Sequence, residues 1–507
     1  MSFHDNALIV VFGASGDLAS KKTFPALFGL YRENKLPKVV SIIGFARSDL
    51  SHDQFRDKVS KHLKYDKNND DHIKKLENFL KICTYHRGSY DEAEGFQELE
   101  KSIVKFDNDN KLEVSNRLYY LALPPSVFTK VATNLKKYNY PSDSSKGSAR
   151  LIVEKPFGHD LESSRQLQSE LSPLWKEEEL FRIDHYLGKE MVKNLLPVRF
   201  TNTFLMSCWN NQFIDCIQIS FKENFGTEGR GGYFDSIGII RDVIQNHLLQ
   251  VLTILLMGKP EDFTNPESIR NEKVNLLKAI RTIDFNDVLI GQYTKSTDGS
   301  KPAYIDDETV NADSKANTFA AIALHVDNDT WKNVPIILKA GKALNDSKVE
   351  IRIQFKKSVA DIYENSSRNE LVFRIQPDEA MYLKMNIKLP GVPNKVSVSD
   401  LDLTYKDRYS KEFYIPEAYE SLIYDALNDD HSNFVRNDEL DISWALFTPL
   451  LHYLESDKGP SPELYPYGSR GPEGLHEFMK KHGYDYASNE NYQWPVTTPE
   501  VLNNSKF

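Results

Sequence analysis

The sequence predicts an α/β Rossmann-type domain followed by an α+β domain with a large, mainly antiparallel sheet. Three observations predict it. Before about residue 200, short apolar runs alternate with charge-rich amphipathic stretches, the pattern of a parallel sheet covered on both faces. The first apolar run leads directly into a glycine turn and a helix start, GASGDLA at Gly13–Ala19. Beyond residue 200, apolar and polar residues alternate with period two, which marks antiparallel strands with one covered face.

Ala7–Phe12 is the first strand, and a helix follows its turn to roughly Arg32, bent or restarted at Pro25. Val39–Ser48 is a second apolar strand, with helices over Gln54–Lys64 and Asp91–Val104. Arg117–Pro125 and Ala149–Gly158 are further strands, each stopped by proline. In the second half, strands are expected at Asp215–Glu223, Val349–Phe355, Asn369–Gln376 and Tyr382–Pro390, the last with Leu383, Met385, Ile387 and Leu389 on one side. Between them an apolar helix spans Ile239–Met257. The proline-rich Glu455–Pro472 reads as an ordered surface excursion or partner contact outside the core. The divide falls near Arg182–Gly188, so that residues 1–184 form the Rossmann-type domain and 185–507 the α+β domain.

Composition narrows the function classes. With 40% hydrophobic and 27% charged residues in 507, the chain is an ordinary soluble protein with room for two or three domains. Its 63 Lys and Arg against 73 Asp and Glu leave a net charge of −10, which argues against a nucleic-acid surface. Cys83, Cys208 and Cys216 are too few and too scattered for disulfides or a zinc site, so no metal is expected. No apolar run is long enough to cross a bilayer, and Ala7–Phe12 lacks the preface of a signal peptide. A cytoplasmic location follows as the expectation.

Three motifs carry chemistry. GASGDLA relaxes the dinucleotide turn to G-x-x-G-x-x-A, placing Gly13, Ala14, Ser15, Gly16, Asp17 and Leu18 where helix-start amides meet a pyrophosphate. The second strand ends Phe45-Ala46-Arg47-Ser48 with no acid for a ribose 2′-hydroxyl; Arg47 suits a 2′-phosphate, favouring NADP over NAD. RIDHYLGKE reads as a helical turn with His185 and Lys189 on one face and Tyr186 beside them. Imidazole, hydroxyl and ammonium together suit a phosphate dianion. Asp184, about 100° round the helix from His185, faces another partner.

With these motifs placed, the chain resembles the glucose-6-phosphate dehydrogenase family over essentially its whole length. The resemblance rests on GASGDLA, EKPFG (Glu154–Gly158), RIDHYLGKE, FGTEGRGGYFD (Phe225–Asp235), GIIRDVIQNHLLQ (Gly238–Gln250), KAGKAL (Lys339–Leu344) and YGSRGP (Tyr467–Pro472). It implies oxidation of glucose 6-phosphate at C1 with NADP as acceptor. By resemblance, His247 is the general base and Asp184 the carboxylate that orients it. His185, Tyr186, Lys189 and Lys342 take the sugar phosphate, Glu223 and Asp242 its hydroxyls, and Gln376 is a further contact. Lys155 sits between coenzyme and sugar, before a proline whose bond is cis or trans. On an ideal helix Asp242 and His247 stand about 140° apart, flanking a ligand. A second, structural NADP is implied at Lys339, Lys348, Arg352, Arg374, Tyr382, Lys384, Asp402, Thr404, Arg470 and Trp494, with Ser347 and Ser20 departing from the family pattern. A homodimer or homotetramer is expected. Another NADP-dependent sugar or polyol oxidoreductase, or a non-catalytic NADP sensor, stays open on the residues alone.

Overall fold

A computed structural model describes residues 3–143, 147–358, 363, 366–388, 391, 395–404, 408–409 and 413–486. Its first layer is a six-stranded parallel sheet. The strands are β1 (Asn6–Phe12), β2 (Val39–Ala46), β3 (Cys83–Arg87), β4 (Arg117–Leu121), β5 (Ala149–Glu154) and β6 (Leu180–Ile183), in the order β3-β2-β1-β4-β5-β6. β1 and β4 are buried along their whole length, as strands covered by helices on both faces must be. Order reverses between β1 and β4, which opens a crevice at their carboxyl ends, where the glycine turn lies.

Two strands and three helices of this half escape sequence reading, the helices being Asp70–Ile82, Phe128–Tyr138 and Leu161–Leu171. β3 and β6 are short, and the helix Asp70–Ile82 is mostly half-buried, with Phe79 its buried anchor. The expected helices fall at His52–Ser60 and Ala93–Asp109. Pro25 marks a restart: the turn before it, Ala19–Thr23, is a π-helix, and the α-helix Phe24–Arg32 begins with the proline in its first turn. That wider turn accommodates the missing proline N–H.

The second layer is a nine-stranded sheet with strands β7 (Ile214–Lys222), β8 (Val288–Thr294), β9 (Phe319–Leu324), β10 (Ile336–Gly341), β11 (Lys348–Phe355), β12 (Glu370–Gln376), β13 (Ala380–Lys388), β14 (Val396–Thr404) and β15 (Glu463–Pro466). Their order is β14-β13-β12-β11-β7-β10-β9-β8-β15, antiparallel except at β10–β7 and β15–β8. β15 corrects one expectation, because the proline-rich stretch holds an edge strand. Its Tyr465 is fully buried and donates to Lys342 O at 2.8 Å.

β13 keeps the expected alternation, but burial inverts it. Tyr382 and Lys384 are buried, whereas Met385 and Ile387 are 39% and 48% exposed; Leu389 lies outside the described residues. Lys384 tolerates burial because Glu370 stands 3.1 Å away. Helices cover the apolar face only as far as Leu383, and the strand runs on beyond them. The helix Ala418–Leu427 returns to the first layer, where Leu422, Ile423 and Ala426 join its core.

Candidate active site

The glycine turn is built for close approach. Gly13 has φ +76°, and a Cβ there would meet Ala122 O at 2.2 Å, so no other residue fits without strain. Gly13 and Ala14 donate to Phe45 O at 2.9 and 3.3 Å, and Gly16 donates to Gly13 O at 2.8 Å. Those three amides hold the turn, which leaves the helix start at Ser15, Asp17 and Leu18 to face an anion. Arg47 lies exposed just past β2, its guanidinium 5.4 Å from the Tyr90 ring centroid. Arg87, unnoticed in the sequence, ends β3 opposite Ala46 and brings a second guanidinium to the same edge. β2 is followed by Arg47 with no acid before Asp49, which pairs with Arg87 at 3.3 Å, and the arginine at the strand end fits a 2′-phosphate.

Asp184 follows β6 directly and caps the turn His185–Gly188, its Oδ1 accepting the Tyr186 amide at 3.0 Å. The same oxygen lies 2.6 Å from His247 Nδ1. Both side chains are buried, at 3% and 5% exposure. Burial pushes the His247 imidazole below its ordinary range against the opposing pull of Asp184, so the ring is neutral at neutral pH. Burial would raise Asp184, but the His247 charge and hydrogen bond outweigh it and hold the carboxyl well below the usual range. With Nδ1 engaged, Nε2 is the nitrogen left to act as a base.

Two local conformations differ from expectation. The turn His185–Gly188 is a 3-10 helix and Lys189 is already extended, with ψ 133°, so the α-helical i, i+4 face does not exist. Rings assemble the group instead: His185 and Tyr186 each stand 4.6 Å from the His247 ring, and Lys189 lies 5.1 Å from the Tyr186 ring. The second is Ile240–Leu248, a π-helix that becomes α-helical only at Leu249. In a π-turn, residues five apart are hydrogen-bonded partners, so Asp242 and His247 share one face rather than flanking it at 140°.

The remaining side chains converge. Lys155, before a cis proline bond, donates to Asp242 O at 2.8 Å, with the Asp242 carboxylate at 3.5 Å. Lys342 pairs with Glu223 at 2.6 Å and reaches Asp242 at 3.8 Å. Lys189 donates to Gln376 Oε1 at 2.7 Å. A cavity of about 140 Å³, lined by Lys155, Phe157, Asp184, Asp242 and Trp444 among others, opens beside the dyad. Residues that sequence reading missed stand behind it. Glu154 is buried against the Tyr120 and Tyr419 hydroxyls, and burial raises its carboxyl to about 7. The Lys22 charge is near enough to Lys189 to help lower it, after burial and against Glu379.

The residues expected at a second nucleotide lie on the sheet face opposite the aliphatic core. Glu350 pairs with Lys348, Arg352 and Arg374, and Glu370 with Arg352 and Lys384. Burial, aggravated by the Lys222, Arg352 and Lys348 charges, pushes Lys339 down to about 7. Tyr382 stands opposite Asp402, and Ala380 opposite Thr404. Ser347 is turned to Asn224, 2.8 Å away, and Ser20 to Asp17 O, 3.2 Å away. Arg470 is exposed in the turn after β15, and Trp494 lies outside the described residues. Although spacing suggested no metal cluster, folding gathers two groups of metal-capable side chains: Asp184 with His185 and His247, and Asp287 with His325 and His482. The first is the hydrogen-bonded dyad already described.

A parallel-sheet glycine turn, an arginine at the second strand end and a buried Asp–His pair beside a lysine- and carboxylate-lined cavity define a nucleotide-dependent dehydrogenase. Family models agree on which. The glucose-6-phosphate dehydrogenase NAD binding domain matches residues 10–194, and its C-terminal domain matches residues 196–491. Glucose-6-phosphate 1-dehydrogenase of Kluyveromyces lactis is 58% identical over 499 residues, covering 98% of this chain and 99% of its own. That of Saccharomyces cerevisiae is 58% identical over 501 residues, 99% of this chain and 98% of its own. A solved glucose-6-phosphate dehydrogenase in complex with its substrate glucose-6-phosphate superposes with a TM-score of 0.92 at 58% identity, covering 96% of this chain and 99% of that one. The chain belongs to the glucose-6-phosphate dehydrogenase family.

Proposed function

We propose that this chain oxidises D-glucose 6-phosphate at C1 to 6-phospho-D-glucono-1,5-lactone and reduces NADP to NADPH, the entry step of the oxidative pentose phosphate pathway. The Asp184–His247 hydrogen bond carries the reading, because it leaves a neutral, oriented imidazole against Asp184, which itself lines the cavity. His247 Nε2 takes the C1 hydroxyl proton as the C1 hydrogen leaves with its electron pair. Asp184 holds the ring and stabilises the imidazolium that forms. His185, Tyr186, Lys189 and Lys342 bind the sugar phosphate, Glu223 and Asp242 its hydroxyls, and Gln376 braces Lys189. Lys155, held by Asp242, spans sugar and coenzyme.

Bound NADP supplies the hydride acceptor. Ser15, Asp17 and Leu18, shaped by Gly13, Ala14 and Gly16, hold its pyrophosphate, and Arg47 with Arg87 its 2′-phosphate. A second NADP rests on the cationic face around Lys339, Lys348, Arg352, Arg374 and Lys384. The depressed Lys339 supports it, since an anion would relieve that crowding. Nucleotide quantitation after dialysis of the purified protein checks this; one per chain or fewer contradicts it. The divide between the two working halves is placed at residues 184/185. The chain assembles as a homodimer or homotetramer through the uncovered apolar side of β13 and β14, where Met385, Ile387 and Leu401 are exposed together. Its three free cysteines suit the cytoplasm.

The test is reduction of NADP followed at 340 nm with glucose 6-phosphate and with glucose. Turnover on the phosphorylated sugar alone is expected, falling on the order of 10²–10⁴-fold in His247→Asn with binding retained. Near-normal turnover by that variant refutes the assignment.

A further inference from the structure

We infer that Asp287, His325 and His482 form a binding site for a divalent transition-metal ion, Zn2+ by the preference of this donor set, at the edge of the large sheet. They arrive from three distant segments. Asp287 ends the turn Phe285–Asp287 ahead of β8, His325 follows β9, and His482 caps the helix Leu475–Lys481. Their potential ligand atoms all lie within 4.8 Å of one another. None of the three belongs to the coenzyme or sugar sites.

The spacing is that of ligands rather than of hydrogen-bond partners. His482 Nε2 stands 3.5 Å from Asp287 Oδ1, and His325 Nε2 stands 3.6 Å from Asp287 Oδ2. Both separations are long for a hydrogen bond. Both approach the edge of a tetrahedron with bonds of about 2.0–2.1 Å, which is about 3.3–3.4 Å. The burial of one donor adds a second observation. His482 Nε2 is buried with no hydrogen-bond partner, on a side chain only 6% exposed. An orphaned buried nitrogen is costly, and a metal ion beside Asp287 satisfies it.

The Lys481 ammonium lies 2.9 Å from the Asp287 carboxylate and donates to Asn286 O at 3.0 Å. Lys481 is 52% exposed and free to swing into solvent when an ion arrives. His325, at 35% exposure, gives water access as the fourth ligand.

The ion would act as a clasp. Two residues beyond His482, the Tyr484 hydroxyl reaches Glu370 at 3.4 Å, and the Asp485 amide donates to Gln354 at 2.9 Å. Fixing His482 therefore fixes the segment that lies against the charged face of the sheet.

The test uses the full chain, stripped with EDTA and titrated with Zn2+ against a chromophoric chelator, alongside thermal unfolding. One tight site per chain is expected, weakened at least about 100-fold in His325→Gln and in Asp287→Asn, since losing even an outer partner costs 10–100-fold. Zn2+ should raise Tm in the parent and much less in either variant. His325 is exposed enough that its replacement spares the core, and Asp287→Asn serves as the independent second variant. No tight site in the parent overturns the proposal. So does an affinity unchanged in both variants, or a tight site lost instead in His247→Asn, which would place the ion on the Asp184 cluster.

Discussion

Replacing Asp184 by asparagine keeps the shape of the dyad and removes its charge. The Tyr186 amide donates to Oδ1, so the asparagine carbonyl is held in the same place and still accepts from His247 Nδ1. The NH2 group then occupies the position of Oδ2, which is buried without a partner. What disappears is the anion opposite the imidazolium. At about 4 Å between charge centres and an effective dielectric near 20, that interaction is worth about 4 kcal/mol. At 1.36 kcal/mol per decade, kcat should fall on the order of 10²–10³-fold. KM for the sugar phosphate should barely move, because Asp184 touches the imidazole and not the sugar. The pH profile supplies the sharper readout. A neutral base is required, so activity is lost as pH falls through the His247 pKa. Burial and Lys155 lower that pKa while Asp184 raises it; without the carboxylate the acid limb must move to lower pH. Initial rates across the acid range, at saturating NADP, measure both. A kcat within about threefold of the parent, or an acid limb that stays or moves upward, refutes the pairing as the source of the base.

Arg47→Asp should raise KM for NADP roughly 10–100-fold, the worth of one charge-assisted bond, and leave NAD almost untouched; an unchanged preference in paired rates removes the coenzyme argument. Lys189→Ala should raise KM for glucose 6-phosphate by a similar factor, with kcat reduced far less. A fall in kcat alone would mean that Lys189 does not serve the phosphate. Glu154 is held near 7 by burial, above its ordinary 4.5. The folded chain therefore binds more protons than the unfolded one between those values, and stability drains away as pH rises through that window. Glu154→Gln should gain Tm over the parent at pH 8 relative to pH 5, and an equal difference at both would show the carboxyl to be ionised throughout.

Much of the scaffold was legible because long apolar runs have only one way to be buried. Ala7–Phe12 and Arg117–Pro125 read as apolar strands from composition, the second ending at Leu121 in the structure, and the glycine turn between strand and helix placed the nucleotide end. Short pieces were not legible. β6 is four residues, and RIDHYLGKE scanned as a helix because its spacing fits 3.6 residues per turn as well as it fits a strand end followed by a 3-10 turn. The π-turn at Ile240–Leu248 has no periodic signature of its own, yet it turns Asp242 toward His247. Burial of Lys384 was invisible for a related reason: its partner Glu370 comes from the neighbouring strand.

By itself the sequence determined the donor types, the nucleotide turn and the order of elements, since those depend on residues near one another along the chain. Only tertiary structure brought Asp184 to His247 across 63 positions, crowded Lys339 with cations and set His482 against Asp287. Separations of a few ångströms between remote segments arise from the packing of two sheets and their helices. Local spacing carries no record of that packing, because each segment meets its partner only after the core has closed.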